Sequence, residues 1–429
     1  MRIMTQALLR IHMNKTWLVA LALGYTLLGP HNRFYRANDN WIYQGKAAFS
    51  MIGVMVLLLL AAWCVLAARR GDARHLLLHR YHILDAFLLL LLFSTAMNPL
   101  TIFSLTYLVT VLLGILFCEW LTTMKLSPGQ LVGAISAWLG IAAIIAVTNL
   151  LHRLLGWTWA FTKPVQSFLP VNGQERMSLW FASPNDLGCV MAATIMMAIW
   201  LAEHVTARWQ RAAVILLACG LGFVLLETYS RGALVACCVG VLSYLAAVRK
   251  QHAIHLVAYA GMSLMMIGIL AGVGRYRARV ASISDLRGDR TINARFRVWQ
   301  EGMQIIRASP IVGVGLGNFA SAYAVLTEGQ NRPGHTTAVN NYLTLCAETG
   351  LLTTICYLLI LVLTVTAAFR GQHGMPHGLQ RLNSALAAAV IVFAVYGIFS
   401  YNFAKTYHSL CWAIIGLICC LQVRHGPST

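Results

Sequence analysis

Apolar residues run in blocks of about twenty along most of this chain, separated by short polar intervals. Within a block the apolar positions do not alternate with polar ones, as they would in the strands of a membrane barrel. Runs of this length cross the hydrocarbon core as helices, because only helices and closed barrels satisfy every backbone group in lipid. The pattern predicts an all-α polytopic membrane protein with about twelve transmembrane helices, near 13–30, 47–68, 83–97, 100–121, 129–150, 184–203, 211–228, 232–248, 254–274, 340–369, 383–402 and 408–423. Asn98-Pro99 is the expected turn between the third and fourth.

One polar interval is much longer than the rest, Arg275 to Glu348. It divides the chain into transmembrane helices 1–9 over residues 1–274, an Arg-rich loop over 275–339, and helices 10–12 over 340–429. Inside the loop, Phe296, Trp299, Met303 and Ile306 recur at three- and four-residue steps, which predicts an amphipathic helix over 291–307. Trp299 is expected on its membrane side. Pro310 and the glycines after it end that helix.

Composition adds a charge. Only 10% of residues are charged and 59% are apolar, yet the formal net charge is +19. In a soluble chain that excess would suggest nucleic acid. Beside so many spans, no nucleic-acid partner is expected, and anionic membrane lipids are the nearer partners. The eleven cysteines lie in or at the edges of apolar runs without a CxxC pair. They read as small buried hydrophobes, not as a disulfide framework or metal site.

The distribution of Lys and Arg over short loops sets orientation, and long loops cross largely regardless of charge. With the long loop set aside, the short-loop excess puts both termini on the cytoplasmic side. The Arg-rich loop then faces outward, into the periplasm of a Gram-negative cell. Two other outer segments follow, Gly29 to Lys46 and Leu151 to Ser183, the latter with Trp157 and Trp159 as interfacial anchors.

Several short patterns carry candidate chemistry. In Glu227-Thr228-Tyr229-Ser230-Arg231-Gly232-Ala233, Arg231 sits at the junction of two spans, where a cation needs a partner or a task. It reads either as a snorkelling anchor or as a fixed guanidinium gripping phosphate oxygens. Arg295 and Arg297 lie on the amphipathic helix, where a solvated surface role is the bland alternative. Gly313-x-Gly315-x-Gly317 superficially matches a dinucleotide fingerprint, but no strand precedes it; the glycines are expected to allow a tight turn and close backbone approach. His335 is a candidate general base near neutral pH. Thr337 and Asn340 are candidate helix caps. Glu348, inside the tenth span, calls for a partner such as an outer arginine. No His, Cys and carboxylate set has metal-ligand spacing, so no metal is expected.

Taken in order, Thr228-Tyr229-Ser230-Arg231-Gly232-Ala233, Arg295-x-x-x-Trp299, Pro310 with Gly313-x-Gly315-x-Gly317-x-Phe319, and Asn340-Asn341-Tyr342-Leu343 with Glu348-Thr349-Gly350-Leu351-Leu352 resemble the O-antigen ligase/polymerase family. Arg176 with Ser183-Pro184-Asn185-Asp186-Leu187-Gly188 resembles its upstream segment. The resemblance spans about residues 170–360. It implies a GT-C-type glycosyltransferase fold in the bacterial inner membrane and a large periplasmic loop. It also implies inverting glycan transfer from an undecaprenyl pyrophosphate donor without metal or cofactor. The acceptor is a lipid A-core sugar in ligases, another lipid-linked glycan in polymerases, and a protein hydroxyl in O-oligosaccharyltransferases. A non-catalytic lipid-glycan transporter is the more distant alternative. The resemblance makes Arg231 and Arg295 the pyrophosphate-binding arginines; Arg176, Arg297, Asn340 and Tyr342 are expected as further substrate contacts. The family commonly has His-Asn before its tenth-span segment, where this chain has Val339-Asn340. His335, four residues upstream, is the expected substitute base.

Overall fold

The computed structural model describes residues 33–37, 40–44, 83–99, 101–124, 126–156, 176–181, 183–248, 290–327, 337–371 and 375–425. Among them are a two-stranded antiparallel hairpin, β1 (Arg33–Ala37) and β2 (Asn40–Gln44), paired from Arg33↔Gln44 to Ala37↔Asn40. The hairpin falls in the first outer segment, where hydropathy predicts no element. All other regular structure is helical: α1 (Ile83–Met97), α2 (Ile102–Thr123), α3 (Pro128–Leu155), α4 (Pro184–His204), α5 (Arg208–Glu227), α6 (Arg231–Ala247), α7 (Arg290–Ala308), α8 (Phe319–Leu326), α9 (Asn341–Thr349), α10 (Leu351–Arg370), α11 (His377–Phe399) and α12 (Ser409–His425), with a 3-10 turn at Thr406–His408.

Six helices are long and apolar enough to cross a membrane, namely α2, α3, α4, α5, α10 and α11. Three shorter apolar helices, α1, α6 and the apolar part of α12, accompany them. Each covers one of the spans read from hydropathy. The spans expected near 13–30, 47–68 and 254–274 lie outside the described residues, as do Trp157 and Trp159.

Helix starts follow local chemistry. Thr101 and Ser127 cap α2 and α3 in reciprocal boxes with Ser104 and Gln130. Ser183 caps α4 just before Pro184, and Ser230 caps α6. Among the six long helices the most enclosed are α4 and α11. The Ser384-Ala385-Leu386-Ala387-Ala388-Ala389 stretch of α11 is buried throughout. Small residues there let backbones approach closely, as membrane helix packing favours. A Cβ on Gly240 of α6 would lie 3.3 Å from the Ala388 carbonyl oxygen.

The chain runs back and forth, so the bundle has two distinct ends. At one end Trp200 donates to the Gly378 carbonyl at 3.1 Å, Tyr244 donates to Glu203 at 2.9 Å, and Arg381 faces Glu203 at 3.7 Å. The other end gathers the close of α3, α5 and α11 with the starts of α4, α6, α9 and α12. The candidate residues are at this second end.

One predicted span is wrong in form. The 340–369 run is broken at Gly350 (φ 86°, ψ 169°) into α9 and α10, and the crossing helix begins at Leu351. The break is where the glycine-rich loop docks. Val314 donates to the Ala347 carbonyl at 2.9 Å, Gly315 to Glu348 at 2.8 Å, and Leu351 to Pro310 at 2.8 Å. Gly313, Gly315 and Gly317 all have positive φ, so this loop is the tight turn with close backbone approach that its glycines predict. A Cβ on Gly313 would press into the Glu348–Thr349 backbone.

Candidate functional site

The site begins at the turn joining α5 to α6. Thr228 Oγ1 donates to the Leu225 carbonyl at 2.6 Å and accepts the Ser230 N–H at 3.3 Å. Ser230 Oγ accepts the Ala233 N–H at 3.4 Å. Between them Tyr229 adopts φ 52°, a left-handed conformation that non-glycine residues seldom take. Two hydroxyls thus reverse the chain within three residues and put half-buried Arg231 at the first position of α6. A Cβ on Gly232 would stand 2.9 Å from Phe399 Cγ, so this turn abuts the end of α11.

Arg176 ties two neighbours to that turn. Its Nε donates to the Thr228 carbonyl at 2.8 Å and its Nη2 to Asn185 Oδ1 at 2.7 Å. Both bonds are to protein, so Arg176 acts here as a strut between the Arg231 turn and the first turn of α4. Beside it, Arg153 of α3 meets Glu227 at 3.3 Å.

Asn340 approaches from the other side. Its Oδ1 accepts the N–H groups of Tyr342 and Leu343 at 2.9 and 3.0 Å, which makes it the cap of α9. Thr337 Oγ1 instead accepts the Val339 N–H at 3.3 Å. Asn340 Nδ2 donates to the Ile398 carbonyl at 3.1 Å, and the Tyr342 hydroxyl donates to Ala394 at 2.6 Å. Gly232 touches Phe399 and Asn340 bonds Ile398. The two motifs, more than a hundred residues apart in sequence, therefore meet at one end of one helix.

Arg295 and Arg297 arrive on α7. The buried face of this helix carries Val298, Glu301, Gly302 and Ile305, packed on Phe319, Tyr323, Ala338 and Ala347. A Cβ on Gly302 would lie 3.7 Å from Ala338 Cβ. Arg295 is half-buried and Arg297 exposed. The expected apolar stripe needs correction. Phe296 and Met303 are exposed, and Trp299 packs inward on this second core while its ring meets Phe296 edge-on at 5.5 Å. Period alone does not tell which flank of a helix faces protein.

Val339 occupies φ 53°. A β-branched residue is an outlier in this region, whereas histidine and asparagine enter it more readily. The backbone here thus has a form that suits the histidine of the family pattern better than the valine present. His335 lies outside the described residues.

Glu348 is wholly enclosed, but its partners are not the arginine expected. Its Oε1 accepts the Phe319 N–H at 3.3 Å, and the Gly317 N–H and Tyr401 hydroxyl lie beside it. Burial pushes its carboxyl up to about 8, against the opposing pull of those N–H groups.

Two further charged residues complete this end. Lys405 Nζ reaches both oxygens of Asp186 at 2.8 Å, and the Tyr407 hydroxyl donates to the same carboxylate at 3.0 Å. Asp186 appears in the sequence only as part of an upstream segment. Its signal is a carboxylate in an otherwise apolar helix, which needs a partner.

A class follows from this arrangement. The chain is a multi-pass helical membrane protein in which Arg176, Arg231 and Lys405 lie at one end of the bundle, on helix starts and short connectors. Residues 212–358 match the family model described as O-antigen ligase. The matched region includes Arg231, Arg295, Arg297, His335, Asn340 and Tyr342; Arg176, Asp186 and Lys405 lie outside it. A comparison with curated proteins returned no match.

Proposed function

We propose that this protein is an O-antigen ligase-type glycosyltransferase of GT-C fold, with about twelve spans in the inner membrane and its site facing the periplasm. It moves a glycan from undecaprenyl pyrophosphate to a sugar hydroxyl of lipid A-core. The acceptor oxygen attacks the anomeric carbon, and the bond from that carbon to the diphosphate oxygen breaks. The electron pair leaves with undecaprenyl pyrophosphate, and the acceptor proton passes to a base, for which His335 is the proposed group. One direct displacement inverts the anomeric centre.

Arg231 and Arg295 offset the charge that grows on the departing diphosphate, the work that preorganised cations do in such steps. The Arg231 turn and the Asn340 cap, both in the family-matched region, meet at the end of α11, and that meeting carries this reading. Arg297 and Asn340 are proposed as further substrate contacts, and Arg176 and Tyr342 support the site through the bonds described above.

The test is transfer by the purified protein from a lipid-linked donor. Arg231→Ala and Arg295→Ala are each expected to lower kcat by roughly 10²–10³, and full activity in both would remove the mechanism. Complementation of a strain lacking its own ligase assigns the acceptor. Restored long-chain lipopolysaccharide supports ligation; a changed polymer length without ligation points to a polymerase.

A further inference from the structure

Among the described side chains of the connector between α11 and α12, all but one are buried. Tyr401, Asn402, Phe403, Ala404, Tyr407 and His408 are all enclosed, while the Lys405 side chain is 36% exposed. An ammonium has three N–H donors. The Asp186 carboxylate engages two, at 2.8 Å each, which leaves one donor beyond the ion pair. Asp186 itself is 2% exposed, sits in the first turn of α4, and also accepts from Tyr407. The helix N-terminus and the tyrosine therefore share the work of holding the carboxylate's charge. Stability alone does not call for such a pair, since a buried ion pair roughly breaks even against apolar residues of similar volume. What it does provide is a lysine head fixed in place.

The location matters as much as the pair. A Cβ on Gly188, half a turn beyond Asp186, would stand 3.0 Å from both Thr228 Oγ1 and Ala233 Cβ. Asn185, next to Asp186, is joined through Arg176 to the Thr228 carbonyl. The first turns of α4 thus pack on the Arg231 turn. From these contacts we infer that Lys405 is a third cation for the diphosphate of the lipid-linked donor, and that Asp186 is the positioning residue that holds it. This rests on the glycan-transfer reading above. Lysine suits the role as a compact point charge, beside guanidinium groups that bind phosphate in a fork.

Two readouts on the full-length protein in detergent test it: transfer kinetics with a lipid-linked donor, and thermal stabilisation by inorganic pyrophosphate. Lys405→Ala is expected to lower kcat/KM for the donor about 10- to 100-fold with the acceptor KM unchanged, and to weaken the pyrophosphate response. Lys405→Arg restores most of both. Lys405→Ala also leaves a buried carboxylate uncompensated, so the decisive variant is Asp186→Asn with Lys405→Met, which removes both charges together. That variant is expected to melt near wild type and still lack donor affinity. If it keeps wild-type kcat/KM and pyrophosphate response, the pair is a structural tie only and the inference fails. Arg231→Ala separates the two levels. Loss of response there, with the double variant unaffected, overturns the role of Lys405 alone. No response in wild type overturns the underlying reading and the inference with it.

Discussion

Glu348 shows how a single side chain can be misjudged from its neighbours in sequence. A carboxylate in an apolar run asks for a cation, and arginines are plentiful upstream. In the fold it receives backbone N–H groups from the start of α8 instead, within a fully buried site. Its folded value of about 8 exceeds the usual carboxylate value near 4.5. The favoured folded form is then the neutral acid. Stability from this group is complete below about pH 4.5 and is lost as pH rises toward about 8. Glu348→Gln removes that dependence. Its melting temperature relative to wild type, measured in detergent, is expected to climb between pH 5 and pH 8; a flat difference would mean that the carboxyl is ionised throughout. Val339 makes a second point at this scale. Only the fold shows that its backbone is left-handed, because valine itself argues against that conformation.

Among elements, the helix pair α9 and α10 departs most from the hydropathy reading. Hydropathy joins residues on both sides of Gly350 into one run, since glycine interrupts neither the apolar sum nor the helical period. What divides the run is a remote loop whose N–H and C=O groups bond Ala347, Glu348 and Leu351. Gly350 (φ 86°, ψ 169°) holds a conformation essentially reserved for glycine, and a Cβ there would meet the Ile311 carbonyl. Gly350→Ala is expected to cost about 1–3 kcal/mol, seen as a lower melting temperature. It also undocks the loop and speeds tryptic cleavage at Arg307, which is exposed but helical in the docked state. Unchanged melting and cleavage would show that the loop does not depend on this break. Helix α7 teaches the complementary lesson. Its limits, Arg290–Ala308, agree closely with the 291–307 helix read from periodicity, while of the predicted stripe only Trp299 and Ile306 pack on the buried face and Phe296 and Met303 do not.

Across the whole molecule, the two ends differ in what they carry. Arg231, Asn340, Asp186 with Lys405, and α7 gather at one end. Arg381 with Glu203, and the exposed Arg208, lie at the other. If the first end faces outward, a membrane-impermeant maleimide applied to intact spheroplasts is expected to label Arg307→Cys above the wild-type background and to spare Arg208→Cys until the membrane is opened. The reverse pattern would invert the topology and move the site to the cytoplasm. The amino-acid sequence by itself determined the helical membrane class, the places of the apolar helices among the described residues and the motif residues, because length, hydropathy and capping act over a few turns. Tertiary structure alone decided that the turn before Arg231 and the cap at Asn340 share one end of α11, that Gly350 divides a span, and that Lys405 is held by Asp186. Those are contacts between segments far apart in the chain, and local pattern carries no information about which distant surface will supply the partner.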